Sequence, residues 1–152
     1  MTMKKAEIVR VCDVSARLVT LTASLTLNEA DHEGKILLMG ASGAALTFTL
    51  PLAIGSGARY KFMVSVVNSS NYIIAAASGD DFDGWQFCKD GGGPIAQTFL
   101  ASAGSSNTFT WDGDTQGGLH IGDFVEFIDI LSGTWSCNAF ASSANTEATP
   151  FS

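Results

Sequence analysis

The chain has 152 residues, a length that suits one domain with a sizeable core, and only 15% of them are charged while 46% are hydrophobic. The net charge of −7 is uneven: Lys4, Lys5, Arg10 and Arg17 meet only Glu7 and Asp13 in the first 20 residues, so a short basic arm precedes an acidic body that repels nucleic-acid phosphates and argues against a nucleic-acid partner. Charge below the roughly 25% of ordinary soluble domains predicts a surface partly covered by copies of the chain or by another protein.

Along the chain, Met-Thr-Met-Lys-Lys is followed by Glu7, Arg10 and Asp13 and by no unbroken apolar run, so no secretory signal is expected. Ile8 to Val11 and Leu18 to Leu21 read either as strands or as an extended arm. Thr26-Leu-Asn-Glu29 has capping-box spacing, and Asn28 to Glu33 predicts one short helical turn ended by Gly34. The uncharged stretch between Lys35 and Arg59 has the length of a membrane span. Gly40, Ser42, Gly43 and Pro51 interrupt it, and Leu46 to Leu50 alternates as Leu-Thr-Phe-Thr-Leu, which predicts two buried strands and no span. Tyr60 to Val67 is a strand with Tyr60, Phe62, Val64 and Val66 on one face; Asn68-Ser-Ser-Asn71 reads as an exposed turn, and Tyr72 to Ala76 as the return strand of a hairpin. Asp90-Gly-Gly-Gly-Pro94 marks an irregular connection. Thr108 to Trp111, Asp123 to Leu131 and Thr134 to Phe140 are further strands, the last two joined by a Ser132-Gly133 turn. Residues 141–152 are polar and aperiodic and read as a tail in which Phe151 has the means to dock.

The chemistry-bearing residues form few patterns. Cys12, Cys88 and Cys137 are odd in number and lack metal-ligand spacing; alternation places Cys137 beside Trp135 and Ala139 as a small core residue. His32 and His120 have no distinctive nucleophile to serve, and none of the common hydrolase, zincin, P-loop or dinucleotide motifs occurs, so no catalytic residue and no cofactor is expected. The one metal-like pattern is Asp112-Gly-Asp-Thr-Gln-Gly-Gly-Leu-His-Ile-Gly-Asp123, with Asp112, Asp114 and Asp123 at places one, three and twelve and Gly117 at six of a calcium-type loop. Gln116 and the short Asp123 depart from that loop, and its flanks read as strands. A plain Gly-rich β loop is the alternative. Trp85, Trp111 and Trp135 with Tyr60 and Tyr72 suit either a sugar-stacking platform or the core, where a buried indole N–H finds one internal hydrogen bond.

Short strands at close intervals with Gly- and Ser-rich connections predict an all-β fold: an antiparallel β-sandwich or small β-barrel, jelly-roll-like or tulip-like. The organisation is an extended N-terminal arm over 1–20, a β domain over 21–140 and a tail over 141–152. Trimerisation is one way to cover the sheet edges.

Three stretches carry a resemblance. Leu25-Thr-Leu-Asn-Glu-Ala-Asp through Gly34-Lys-Ile-Leu-Leu to Thr47-Phe-Thr-Leu-Pro51, then Tyr60-Lys-Phe-Met-Val-Ser-Val-Val with Asn71-Tyr-Ile-Ile-Ala-Ala and Asp83-Gly84, then Gly122-Asp-Phe-Val-Glu-Phe-Ile with Gly133-Thr-Trp-Ser and Asn138-Ala-Phe, resemble the decoration, or cement, proteins of tailed bacteriophage capsids. The likeness covers roughly residues 25 to 140 and consists of scaffold patterns that phage-fibre domains share. It implies a homotrimer that binds the major capsid protein on the outer surface of the virion, stabilises the shell and carries no catalytic residue. On this reading Lys4, Lys5, Arg10 and Arg17 dock on the capsid. A fibre domain binding a host receptor or glycan is the competing expectation.

Overall fold

Period-two alternation turns one side of each strand toward the core. The strands run from β1 (Leu18–Leu21), β2 (Leu25–Thr26) and β3 (Ile36–Met39) to β4 (Leu46–Thr49), in which Leu46 and Phe48 are buried and the two threonines half-buried. β5 (Arg59–Val64) buries Tyr60, Phe62 and Val64, and β6 (Tyr72–Ala75) buries Tyr72 and Ile74. There follow β7 (Asp81–Asp90), β8 (Gln97–Ala101), β9 (Thr108–Trp111), β10 (Phe124–Leu131) and β11 (Thr134–Ser143). This computed structural model describes residues 17–41, 43–90 and 97–152, so Lys4, Lys5, Arg10, Cys12, the Ile8 to Val11 run and most of the Asp90 to Pro94 connection lie outside the described residues.

Two sheets pack as a sandwich: β1-β3-β5-β10-β11-β7-β8 and β2-β4-β6-β9. The described strands form no closed barrel, and the sheets are mixed. β1, β3 and β5 are mutually parallel, as are β2, β4 and β6, and β11 lies parallel to β7. The cause is the winding. From β1 to β6 each strand passes to the opposite sheet, so the next strand to return runs in the same direction as the one it joins. The expected hairpin from Tyr60 to Ala76 is therefore corrected. β5 and β6 belong to different sheets, and Asn68, read as exposed, is buried at the crossing. Its Oδ1 accepts from Gly43 N (3.0 Å) and Ser70 N (3.0 Å), and its Nδ2 donates to Ala44 O (2.8 Å).

The Ser132-Gly133 turn joins β10 to β11 as read, while β11 extends to Ser143. The tail beyond it folds back on β9: Thr110 N donates to Pro150 O (2.8 Å), and the buried Phe151 ring lies 5.3 Å from that of Phe109. The single α-helix among the described residues, α1 (Glu29–His32), is capped by Asn28, whose Oδ1 accepts from Asp31 N at 2.9 Å. Thr26, the expected cap, is instead in β2. Between the sheets, Phe127 of β10 contacts Phe62, Phe82 and Phe109 at centroid distances of 6.1, 4.8 and 5.9 Å. Trp135, Cys137 and Ala139 line up inward as expected. Gly84 is required by proximity, because a Cβ there would lie 1.8 Å from Cys137 O on the neighbouring strand.

The connection from β4 to β5 closes one end of the sandwich on two buried carboxylates. Asp129 accepts from Ile54 N (3.1 Å), Gly55 N (2.7 Å), Ser56 N (2.9 Å) and Ser56 Oγ (2.7 Å); Asp80 accepts from Ala53 N (2.7 Å). Burial of Asp129 raises its pKa, but the hydrogen bonds from Ser56, Ile54 and Gly55 together outweigh that and leave it below the ordinary carboxylate value. Asp129→Asn puts an amide N–H against these donors. It should lower unfolding free energy by about 2–3 kcal/mol in urea denaturation. Because the folded pKa is depressed, the difference between the two proteins should be full above about pH 4 and shrink as pH falls through the folded value.

Candidate functional site

The outward face of the seven-stranded sheet carries what the core pattern leaves over. Backbone register aligns Thr20, Leu38, Met63, Phe124, Phe140, Phe87 and Phe99, one residue from each strand, in a single row across the whole sheet. Six of the seven are apolar. The rings form a connected series: Phe124 to Phe140 at 5.4 Å, Phe140 to Phe87 at 5.9 Å and Phe87 to Phe99 at 5.0 Å. Trp85 from the adjoining row touches Phe99 and Phe140 at 5.8 and 5.7 Å. These side chains are not core. Phe99 is 70% exposed, Phe140 45%, and Phe124, Phe87 and Trp85 are partly exposed. A contiguous apolar strip of this kind marks an interaction surface, since its hydration is unfavourable unless something covers it.

The adjoining row reads Leu18, Ile36, Lys61, Glu126, Asn138, Trp85 and Ala101, so polar groups border the aromatic strip. Lys61 bridges the two rows, with its Nζ 4.2 Å from the centroid of the Phe124 ring. Further exposed apolar residues cap the sandwich ends: Leu52, Ile54 and Leu131 at the Asp129 end, and Val66, Val67 and Ile121 near the opposite end of β5.

Of the residues expected to dock, only Arg17 is described; it is exposed, immediately before β1. The calcium-type loop is a structural corner. Asp112 spends its carboxylate on Asp114 N (2.9 Å), Gln116 N (2.8 Å) and Thr115 Oγ1 (2.9 Å), and Asp114 meets Asn145 of the tail. Asp123 turns inward to Ser142 N (2.9 Å) and His120 N (3.2 Å), and burial raises its pKa. Among the described residues no three His, Cys, Asp or Glu side chains are grouped to hold a metal ion. Gly117 serves packing: a Cβ there would be 2.7 Å from Trp111 Nε1.

His32 Nδ1 accepts from Asn28 N (3.1 Å) and completes the helix start; His120 is exposed. The tryptophans divide. Trp111 and Trp135 are buried; Trp111 Nε1 donates to Gln86 Oε1 (2.6 Å), whereas Trp135 Nε1 has no hydrogen-bond partner among the described residues and its ring packs edge-on to Tyr60 at 5.7 Å. Trp85 alone joins the open face. Between Lys35 and Arg59 the chain forms β3 and β4 as expected, and among the described residues no helix is long and apolar enough to cross a membrane.

No protein-family model matches the chain, and comparison with curated proteins and with solved structures finds no match to either.

Iodide should quench the Trp85 component of the fluorescence and spare Trp111 and Trp135, and Trp85→Phe should abolish that quenching. Phe99→Ser with Phe140→Ser should change unfolding free energy by less than about 1 kcal/mol and remove binding of an apolar dye.

Proposed function

We propose that the chain is a structural assembly protein, a decoration or cement protein that coats the outer surface of a phage head as a homotrimer and stabilises the shell. The observation that carries this reading is the row across the seven strands, apolar at six of its seven positions, on an open sheet face. A face this apolar on a chain with 15% charged residues suits a molecule that works while covered. The resemblance over residues 25 to 140 supplies the class of partner, the major capsid protein. Many modest contacts repeated on a symmetric shell give firm attachment through avidity, so no single residue has to bind tightly.

The basic arm contributes the electrostatic part: Lys4, Lys5, Arg10 and Arg17 are drawn to an acidic site on the shell while the acidic body faces solvent. A second reading, a fibre domain that binds a host receptor or glycan, is favoured by one observation. Trp85 presents a partly exposed indole beside Asn138, with Glu126 one strand further along the polar row, an arrangement on which a sugar ring could stack.

Native mass spectrometry should give a trimer, and stoichiometry on purified particles should give hundreds of copies per virion; a few copies per virion would favour the fibre reading. Replacing Lys4, Lys5, Arg10 and Arg17 together by Gln should weaken shell binding about tenfold or more at low salt and leave the trimer intact. Unchanged shell binding would remove the arm from the docking surface.

A further inference from the structure

Five lysine and arginine residues are described, and three of them, Lys35, Arg59 and Lys61, line one cleft of about 210 Å³ with Gly34, Ile36 and Glu126. In a protein of net charge −7 this is a local reversal of sign, three cations against one carboxylate. Lys35 is held by its Nζ–H donating to Asp31 O at 2.6 Å, which leaves two ammonium protons uncommitted. Among the described residues the Arg59 and Lys61 cations form no hydrogen bond or ion pair, and Lys61 instead rests on the Phe124 ring. Glu29 and Glu33 line a separate cleft with Ser56, Gly57 and Ala58.

We propose that this cleft receives a carboxylate side chain from an extended segment of a partner protein whose next same-side residue is apolar and lies on the aromatic row. Three observations set that chemistry. The charge calls for an anion. The volume is below the roughly 300–1,000 Å³ of small-molecule sites and suits one acidic side chain. The setting is amphipathic, because Lys61 is two residues from Met63 on β5, and Met63 belongs to the row and adjoins Phe124. In an extended segment, residues i and i+2 lie on one side about 7 Å apart, the same separation as Lys61 and Met63 along their strand. An acid at i then meets Arg59, Lys61 and Lys35 while an aromatic at i+2 covers Phe124 and Met63. A nucleic acid would bring many phosphates to an acidic body that repels them. The inference rests on the proposed role of the sheet face in docking and adds the chemistry of what docks.

The test is a two-dimensional amide NMR titration of the full chain with acetylated, amidated Ser-Glu-Ser-Phe-Ser, with its Gln counterpart, and with inorganic phosphate. The Glu peptide should bind at low millimolar concentration, about fivefold tighter than the Gln peptide at low salt, and shift the amides of residues 34–36, 59–61 and 126 together with those of Phe124 and Phe140. That preference should vanish in about 0.5 M salt and in the Arg59→Gln, Lys61→Gln variant, and persist in Arg59→Lys, Lys61→Arg, which keeps both charges. Equal binding of the two peptides overturns the carboxylate site; shifts along the aromatic row would in that case still uphold the docking face. Failure of both peptides to bind overturns the site and the face together. Phosphate binding there as tightly as the Glu peptide would reduce the cleft to a general anion site and overturn the peptide assignment.

Discussion

The fold depends on backbone leaving one sheet and entering the other without stranding its polar groups. A chain that winds between two layers must repeatedly cross the ends of the core, where N–H groups have no ladder to join and little water to bind. Asp129 resolves this at one end by accepting from three successive residues, Ile54, Gly55 and Ser56, while Asp80 takes the N–H of Ala53. Asn68 and Asp123 do the same work at other crossings, the first for the connection after β5 and the second where the loop before β10 meets Ser142. Each is buried, and each is polar because the backbone beside it is not otherwise satisfied.

With the crossings fixed, the strand registers follow, and with them the composition of both sheet faces. The inner faces share one aromatic core centred on Phe127, contacted from both sheets. The outer face of the larger sheet is assembled from residues that each strand turns away from that core. β3 reads Ile-Leu-Leu-Met, so its outward Ile36 and Leu38 are as apolar as its inward pair, as in strands of parallel sheets that are covered on both sides. Among the described residues the sheet has the strand chemistry of a doubly covered one, and no described element covers its outer face.

Sequence reading reached some of this and missed the rest for identifiable reasons. Leu46 to Leu50 and Tyr60 to Val64 were legible because their inward residues are large and their outward ones smaller or more polar. β7 was not legible as a strand, since its inward positions include Gly84 and Gln86 while Trp85 and Phe87 point outward, the reverse of the usual pattern. Asn68-Ser-Ser-Asn71 signals a turn equally well whether the next strand pairs alongside or crosses the sandwich, so the hairpin reading failed on a distinction that local residues do not encode. The aromatic row draws one residue from each of seven strands, and only tertiary register aligns them. The Asp112 to Asp123 loop had ligand spacing, yet Asp112 and Asp123 accept from backbone N–H groups and Asp114 from the Asn145 side chain, because a Gly-rich corner needs acceptors as much as a cation does. Arg59, Lys61 and Lys35 were visible only as scattered charges until β3 and β5 paired.

The position of the last hairpin in the larger sheet also governs the order of events during synthesis. β10 and β11 are late in the chain but central in the sheet, inserted between β5 and β7. Until residues 124–143 have been made, those two earlier strands lack the neighbours they pair with in the finished sheet, and β1-β3-β5 cannot be joined to β7-β8. Such long-range closure is slow and leaves unfinished chains prone to pairing with one another. The seven-residue row is likewise complete only after closure, because Phe124 and Phe140 are its middle members. A nascent or truncated chain therefore lacks the finished surface, which only a fully made molecule presents.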